Sequence, residues 1–421
     1  MQLKPGVRAL AAGLFVYGFG EELWFRYLPA YLRSLGASAL AVGVFGTLKD
    51  LLDAGYAYPG GVLADRMASR RALLLFGLLT TAGFALYLAH PTVPVIFAGL
   101  FLVMAWQSLG LPATFALVGE ELAGSGRLVA FTVQSVVKRL PIILAPPIGG
   151  WLIVRYGMAG GMRVGFAVSV ATSLLMLAGL RRAFRRAAPP AAAPPAAAGL
   201  AAAAPALAAP ASAAAALQPG RGRGRVRLHP ALRQLLVADC LIRLCEGLPE
   251  VFLVLWALEV AKVSAARFGL LTAILMATAI ASYAPAALLA GRAEKKPFVV
   301  LTYVFFTLFP LAVVASRSFG ALAAAYVVGG LREIGEPARK ALIVDLAVAD
   351  PGRTVGLYYS IRGFAVAGAS AIGGALWMVA PSLTFVAAAA LGAAGTLWAA
   401  LTLPSRPALP TAIAVEQEET R

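Results

Sequence analysis

A helix needs about twenty consecutive apolar residues to cross the hydrocarbon core of a bilayer, and this chain supplies runs of that length repeatedly. Read on that basis, spans fall near 8–32, 39–63, 72–89, 93–118, 128–153 and 162–182. After a polar break they resume near 232–258, 267–290, 297–315, 319–347, 354–379 and 382–403. The 421 residues are 60% hydrophobic and only 13% charged, with a mean hydropathy of +0.82. A soluble domain cannot bury that much apolar surface. The first run begins at about Val7 and carries Glu21, Glu22 and Arg26, unlike the apolar core of a secretion signal. The expected fold is an all-α membrane protein with twelve transmembrane helices.

The formal net charge is +17. In a soluble chain that excess would point to nucleic acid, but here it flanks spans and lacks interleaved aromatics. Of the 36 Lys and Arg, about 21 fall in segments assigned inside, about 6 outside and about 9 within helices. That bias places both termini in the cytoplasm of a multi-pass protein of a bacterial-type inner membrane. Cys240 and Cys245 sit five residues apart on one apolar helix, diverge, and read as small apolar fillers. His90 and His229 cannot assemble a metal site. No nucleotide-binding G-x-x-x-x-G-K-[ST] loop is present, and no cofactor is expected.

Residues 1–183 read as an N-terminal six-helix bundle and 232–404 as a C-terminal one. Between them, 184–231 is an Ala/Pro tract with Arg221-Gly222-Arg223-Gly224-Arg225 near its end; it reads as a flexible cytoplasmic linker beside the lipid headgroups. Residues 405–421 read as a cytoplasmic tail. The bundles repeat one another. Gly110-x-Pro112-Ala113 recurs as Gly335-x-Pro337-Ala338, offset by 225, and Ile148-Gly149-Gly150 recurs as Ile372-Gly373-Gly374, offset by 224. An even number of helices per repeat relates the copies by an axis along the membrane normal.

Charges within spans carry the functional argument. One at the bilayer centre costs about 2.5–3.5 kcal/mol even on the lenient scale, so it must face a cavity or a partner. Asp239, Arg243, Glu246 and Glu250 fall in a narrow arc of one helix and are expected to line the interface between bundles. Glu22 and Arg26 share a face of the first helix. Lys49 and Asp53 share one with Tyr56 on the second, and Arg332 and Glu336 share one on the tenth. Lys138 and Arg362 stand at equivalent positions. Glu22 and Glu246 are repeat-related and each has a basic neighbour. They read either as proton-coupling or substrate-contacting groups, or as part of an ion-pair network that holds helices together. Trp24 and Tyr56 are the aromatics chosen as cavity-lining.

Gly60-Gly61-Val62-Leu63-Ala64-Asp65-Arg66-Met67-Ala68-Ser69-Arg70-Arg71 separates two apolar runs. It resembles the loop signature of the major facilitator superfamily, G-x-L-a-D-r-x-G-r-r/k, through Gly61, Leu63, Ala64, Asp65, Arg66 and Arg70; Ala68 replaces the usual glycine and Ser69 the usual arginine. The resemblance, which covers nearly everything outside the linker and tail, implies two pseudo-symmetric six-helix bundles around a midplane site. It implies a gating latch in which Asp65 meets a helix N-terminus, while Arg66, Arg70 and Arg71 reach carboxylates such as Glu120. The copy in the second half, Leu289-Ala290-Gly291-Arg292, has lost the Asp. Ala145-Pro146-Pro147-Ile148-Gly149-Gly150 is similar to the G-P-x-x-G-G stretch of the family's antiporters, and it reads equally as tight helix packing.

The resemblance implies a secondary active transporter of a small organic solute, proton-coupled, monomeric and working by alternating access, with a slight lean to efflux. The embedded charges favour a charged or zwitterionic solute, or an amphipathic cation. An uptake symporter and a membrane sensor that moves no solute are the alternatives. A membrane-embedded enzyme is disfavoured, because no G-x-S-x-G or H-E-x-x-H motif is present.

Overall fold

With no water to bond its backbone inside a bilayer, a span of this composition satisfies its N–H and C=O groups by coiling, and helix is what the chain forms. The computed structural model describes residues 5–67, 69–109, 125–186, 228–290, 294–347 and 351–404. No strand occurs among them.

The N-terminal half consists of α1 (Pro5–Glu22), α2 (Leu28–Ser34), α3 (Ala39–Arg66), α4 (Ser69–Ala89), α5 (Val93–Met104) and the long α6 (Ser125–Arg186). Gly157 breaks α6 into two antiparallel arms, because its φ of 73° belongs to the left-handed region that glycine tolerates best. The C-terminal half consists of α7 (Pro230–Gly247), α8 (Ala265–Ala290), α9 (Lys295–Ala315), α10 (Phe319–Leu331), α11 (Glu336–Leu346), α12 (Pro351–Val366), α13 (Ala369–Val379) and α14 (Pro381–Thr402). The end of the molecule that holds Arg186 and Leu228 is here the linker end, and the other the far end.

Six helices among the described residues are long and apolar enough to cross a membrane, and one of these is the 47-residue Arg139–Arg185 stretch containing the Gly157 reversal. The sequence reading draws its charged spans as continuous helices, and there the structure differs. The first span breaks after Glu22 and resumes through a 3-10 turn at Phe25–Tyr27; the span after the linker breaks after Gly247 and resumes through a 3-10 turn at Glu250–Phe252, 225 residues on. The fourth passes into a π-helical turn at Ala105–Leu109 and the tenth opens between Leu331 and Glu336. Proline is one cause: Pro29, Pro249 and Pro337 each lack the N–H that would bond the carbonyl four residues back. Backbone freed in this way is tolerated in a membrane only where protein or a wet cavity covers it.

A similar repeat appears in the packing. A Cβ built on Gly149 would strike the carbonyl of Leu23, and one on Gly373 would strike that of Leu248. The core follows the same division by depth. Toward the far end Trp24, Phe84 and Phe166 of the first half merge with Trp256, Phe268 and Phe385 of the second into one cluster, while toward the linker end Leu235, Tyr303, Leu342 and Tyr358 form a cluster of the second half alone.

Candidate functional site

The two halves meet most tightly near the far end. A Cβ on Gly43 of α3 would lie 3.1 Å from Gly374 Cα of α13, and one on Gly269 of α8 would lie 2.6 Å from Pro147 Cα of α6. The Tyr27 hydroxyl lies 2.6 Å from the carbonyl of Pro146 and 3.0 Å from that of Ala265, so it ties the halves together. Arg33 reaches Glu259 across the same end at 3.5 Å. Toward the linker end the described residues pack less closely across the seam. Gly363 belongs to α12, on the linker-end side of Gly374, and a Cβ there would meet nothing within 4 Å. The Ala145–Gly150 stretch thus packs the closed end: Gly150 lies against Ala265 just as Gly374 lies against Ala39.

Between these levels, charges cross the seam. Lys49 of α3 pairs with Glu250 of the second half at 3.1 Å and with Asp50 at 3.3 Å. Arg139 pairs with Glu333 at 3.6 Å. On the first-half side Arg26 bonds Glu22 at 2.9 Å across the break in the first span. On the second-half side Arg332 lies 3.5 Å from Glu246, with its guanidinium 4.8 Å from the ring centres of both Phe306 and Phe309. Arg26 and Arg332 both stand within electrostatic reach of Glu250 and of the buried hydroxyl of Tyr326.

Behind Arg332, ion pairs run into the C-terminal half. Glu246 accepts from Arg243 at 2.5 Å, Arg243 stands 3.8 Å from Glu336, and Glu336 receives a two-pronged bond from Arg339 at 2.6 and 2.7 Å, with Lys340 at 3.5 Å. The run ends at Asp239, fully buried, which accepts from Arg339 at 2.5 Å, Tyr358 at 2.9 Å, Tyr303 at 3.0 Å and Arg362 at 3.2 Å. Of the stripe from Asp239 to Glu250, Asp239, Arg243 and Glu246 lie on the unbroken α7 and join this run, and Glu250 lies beyond it. The break at Leu248–Pro249 turns Glu250 to the seam, while Asp239 points into its own half.

Other expected site residues also move. Trp24 does not line a cavity: it is buried among Phe84, Tyr87 and Phe166, and its indole N–H donates to Ser169 at 2.8 Å. The Tyr56 hydroxyl bonds the Phe101 carbonyl at 3.1 Å, within the first half. Asp53 accepts from Ser108 at 2.7 Å. Gly61, Asp65 and Arg66 belong to the last turns of α3 rather than to a loop, and Met67 bonds back to Leu63 at 2.9 Å. The side chains of Asp65 and Arg66, Glu120 and the side chain of Lys138 lie outside the described residues. Arg70 stacks on Phe184 at 5.6 Å, and Arg71 is exposed. Arg339 and Lys340 were missed, although they continue the face of Arg332 and Glu336 at helical spacing. Gln107 and Ser108 carried no signal at all, since only the π-helical turn brings them to Glu21 and Asp53.

This arrangement has relatives. Residues 10–264 match the Major Facilitator Superfamily pattern. An uncharacterised MFS-type transporter of Mycobacterium tuberculosis is 29% identical over 143 residues, which span 34% of this chain and 34% of that relative. Among solved structures, a POT family transporter in complex with 5-aminolevulinic acid aligns with a TM-score of 0.71 at 15% identity, covering 94% of this chain and 95% of that one. The human organic anion transporter TETRAN aligns with a TM-score of 0.59 at 16% identity, covering 94% and 99%. With more than half of its length matched by the family pattern, the chain belongs to the Major Facilitator Superfamily.

Proposed function

We propose that this protein is a proton-coupled secondary transporter of a small zwitterionic organic solute, which binds at the seam level of Lys49 and Glu250 and is moved by rocking the two halves. The observation that carries this reading is the Lys49–Glu250 bridge, the pair that crosses the seam beside Arg26 with Glu22 and Arg332 with Glu246. A zwitterion can replace that bridge, with its carboxylate on Lys49 and its ammonium on Glu250. No charge is then left unpaired, and breaking the bridge is offset by the pairs that replace it. 5-Aminolevulinic acid, bound in one fold neighbour, carries both groups.

Packing closed at the far end and loose toward the linker end corresponds to one of the two states that alternating access requires. The Ala145–Gly150 stretch serves that closure, so it no longer argues for export over uptake. Direction is what the assay reads. The test is a thermal-stabilisation screen of the purified full chain with amino acids, 5-aminolevulinic acid and di- and tripeptides at two pH values, followed by transport of any stabilising compound in proteoliposomes. Stabilisation by a zwitterion, lost in Lys49→Ala, with movement driven by an imposed proton gradient, is the expected outcome. Stabilisation only by neutral compounds, or movement indifferent to the gradient, overturns the reading.

A further inference from the structure

Glu21 differs from the embedded carboxylates around it. Glu22, Asp50, Asp239, Glu246, Glu250, Glu333 and Glu336 each stand between 2.5 and 3.6 Å from a lysine or arginine. Glu21 is 3% exposed, and its bonding partners among the described residues are neutral: the Tyr17 hydroxyl at 3.2 Å and the Gln107 amide at 2.5 Å. Among the described residues the surrounding elements add no charged bonding partner to Glu21. Thr80, Thr81 and Phe84 of α4, Trp106 of the π-helical turn and Ser169 of α6 are uncharged. The charged groups that Glu21 feels electrostatically are its neighbours Glu22 and Arg26, and these are bonded to each other.

From this geometry we infer that Glu21, rather than Glu22 or Glu246, is the residue that takes up and releases the coupled proton. The inference rests on the proton-coupled reading above. An arginine partner favours the ionised carboxylate alone, and it donates without being able to accept. Tyr17 and Gln107 serve either form. The hydroxyl and the amide NH2 donate to a carboxylate; after the amide turns over, its carbonyl accepts from the carboxylic acid, as the phenol oxygen also can. Neither protonation state of Glu21 leaves a buried group unsatisfied, which would otherwise cost about 1–3 kcal/mol. Gln107 is itself exposed, so the amide stands between the buried carboxyl and the outside of the protein. It also sits on a π-helical turn, a local irregularity often found at functional sites. The adjacent Ser108 bonds Asp53 of α3, the helix that carries Lys49 to the seam. A change at Glu21 thus has a short covalent and hydrogen-bonded route to the candidate solute site. The proton itself comes from water and returns to water, and no other bond is made or broken.

Infrared difference spectroscopy of the full-length protein in lipid, taken between two pH values, tests this without a known solute. Wild-type protein is expected to show a carboxylic-acid C=O band that changes with pH. Glu21→Gln removes the band, and Glu22→Gln and Glu246→Gln retain it. If Glu21→Gln fails to fold, Gln107→Leu must shift the band in frequency. A band unchanged in Glu21→Gln, or unmoved in Gln107→Leu, overturns the assignment. A solute that moves independently of the proton gradient while the Glu21 band persists defeats the coupled-transport reading and leaves the titrating site in place.

Discussion

In the C-terminal half, Asp239, Glu336 and Glu246 are strung between five cations, Arg362, Arg339, Lys340, Arg243 and Arg332, in one continuous run from core to seam. In the N-terminal half, Glu22 has Arg26, and the bonding partners of Glu21 among the described residues are neutral. The first arrangement fixes charge: every group in it needs its neighbour ionised, and the run ties α7, α11 and α12 into one body. The second leaves a carboxyl whose proton can come and go. The halves share a fold repeat, yet one is built as a rigid ionic frame and the other as a place where charge can change.

The largest way to break this contrast is at the inner end of the frame. Asp239→Ala leaves Arg339 and Arg362 facing each other in the core without their carboxylate. Removing one member of a buried ion pair costs about 3–5 kcal/mol, so thermal unfolding of the purified protein is expected to show a large loss. Glu22→Gln removes one partner of a half-buried pair, its side chains 36% (Arg26) and 13% (Glu22) exposed, and Arg26 keeps Glu250 within electrostatic reach, so its cost is expected to be clearly smaller than that of Asp239→Ala. Equal losses in the two variants would erase the distinction between frame and switch.

Some of this was legible in the sequence and some was not. The all-helical membrane fold, the Ile-Gly-Gly repeat and the pairing of Glu22 with Arg26 follow from composition and helical spacing alone, and the pairing of Arg243 with Glu246 does too. Asp239, Arg243 and Glu246 lie on one unbroken helix, as their spacing implies, but spacing does not reveal that the partners of Asp239, namely Tyr303, Arg339, Tyr358 and Arg362, all belong to its own half; Glu250 lies beyond the break that Pro249 marks. Gln107 and Ser108 had no signal, because a π-helical turn shifts the register by one residue and leaves no mark in hydropathy. Trp24 reads as a cavity aromatic from the sequence and is instead buried. Its burial against Phe166 and Ser169 depends on which face α6 presents, and no local pattern encodes that.

The frame and the switch act on one closure, which gives a second and smaller perturbation. Gly150→Ala places a methyl group against the Ala265 backbone, and Gly374→Ala places one against Ala39. Overpacking of this kind costs about 1–3 kcal/mol. Because both positions lie between the halves, the cost falls on the far-end-closed state. Labelling of Val263→Cys, a buried far-end position, by a membrane-impermeant maleimide is expected to speed up in both glycine variants. If only one variant responds, the halves do not share the closure equally, and the repeat in packing has no functional counterpart.

The smallest expected effect belongs to Arg33 and Glu259, which also meet across the far end but with side chains 35% and 40% exposed at 3.5 Å. An exposed pair contributes about 0.2–1 kcal/mol, and salt screens it. Arg33 also donates to the Ala37 carbonyl at 3.0 Å, so it is partly satisfied without its partner. Arg33→Gln should therefore leave the melting temperature nearly unchanged. Its effect should appear in the salt dependence of Val263→Cys labelling: raising salt speeds labelling in the wild-type background and does little when Arg33 is already gone. The glycine contacts are apolar and backbone-deep, so they keep their effect at any salt concentration. A salt response that survives Arg33→Gln would mean that the closure depends on charges other than this pair. The seam bridge of Lys49 and Glu250 would then be the next pair to cut.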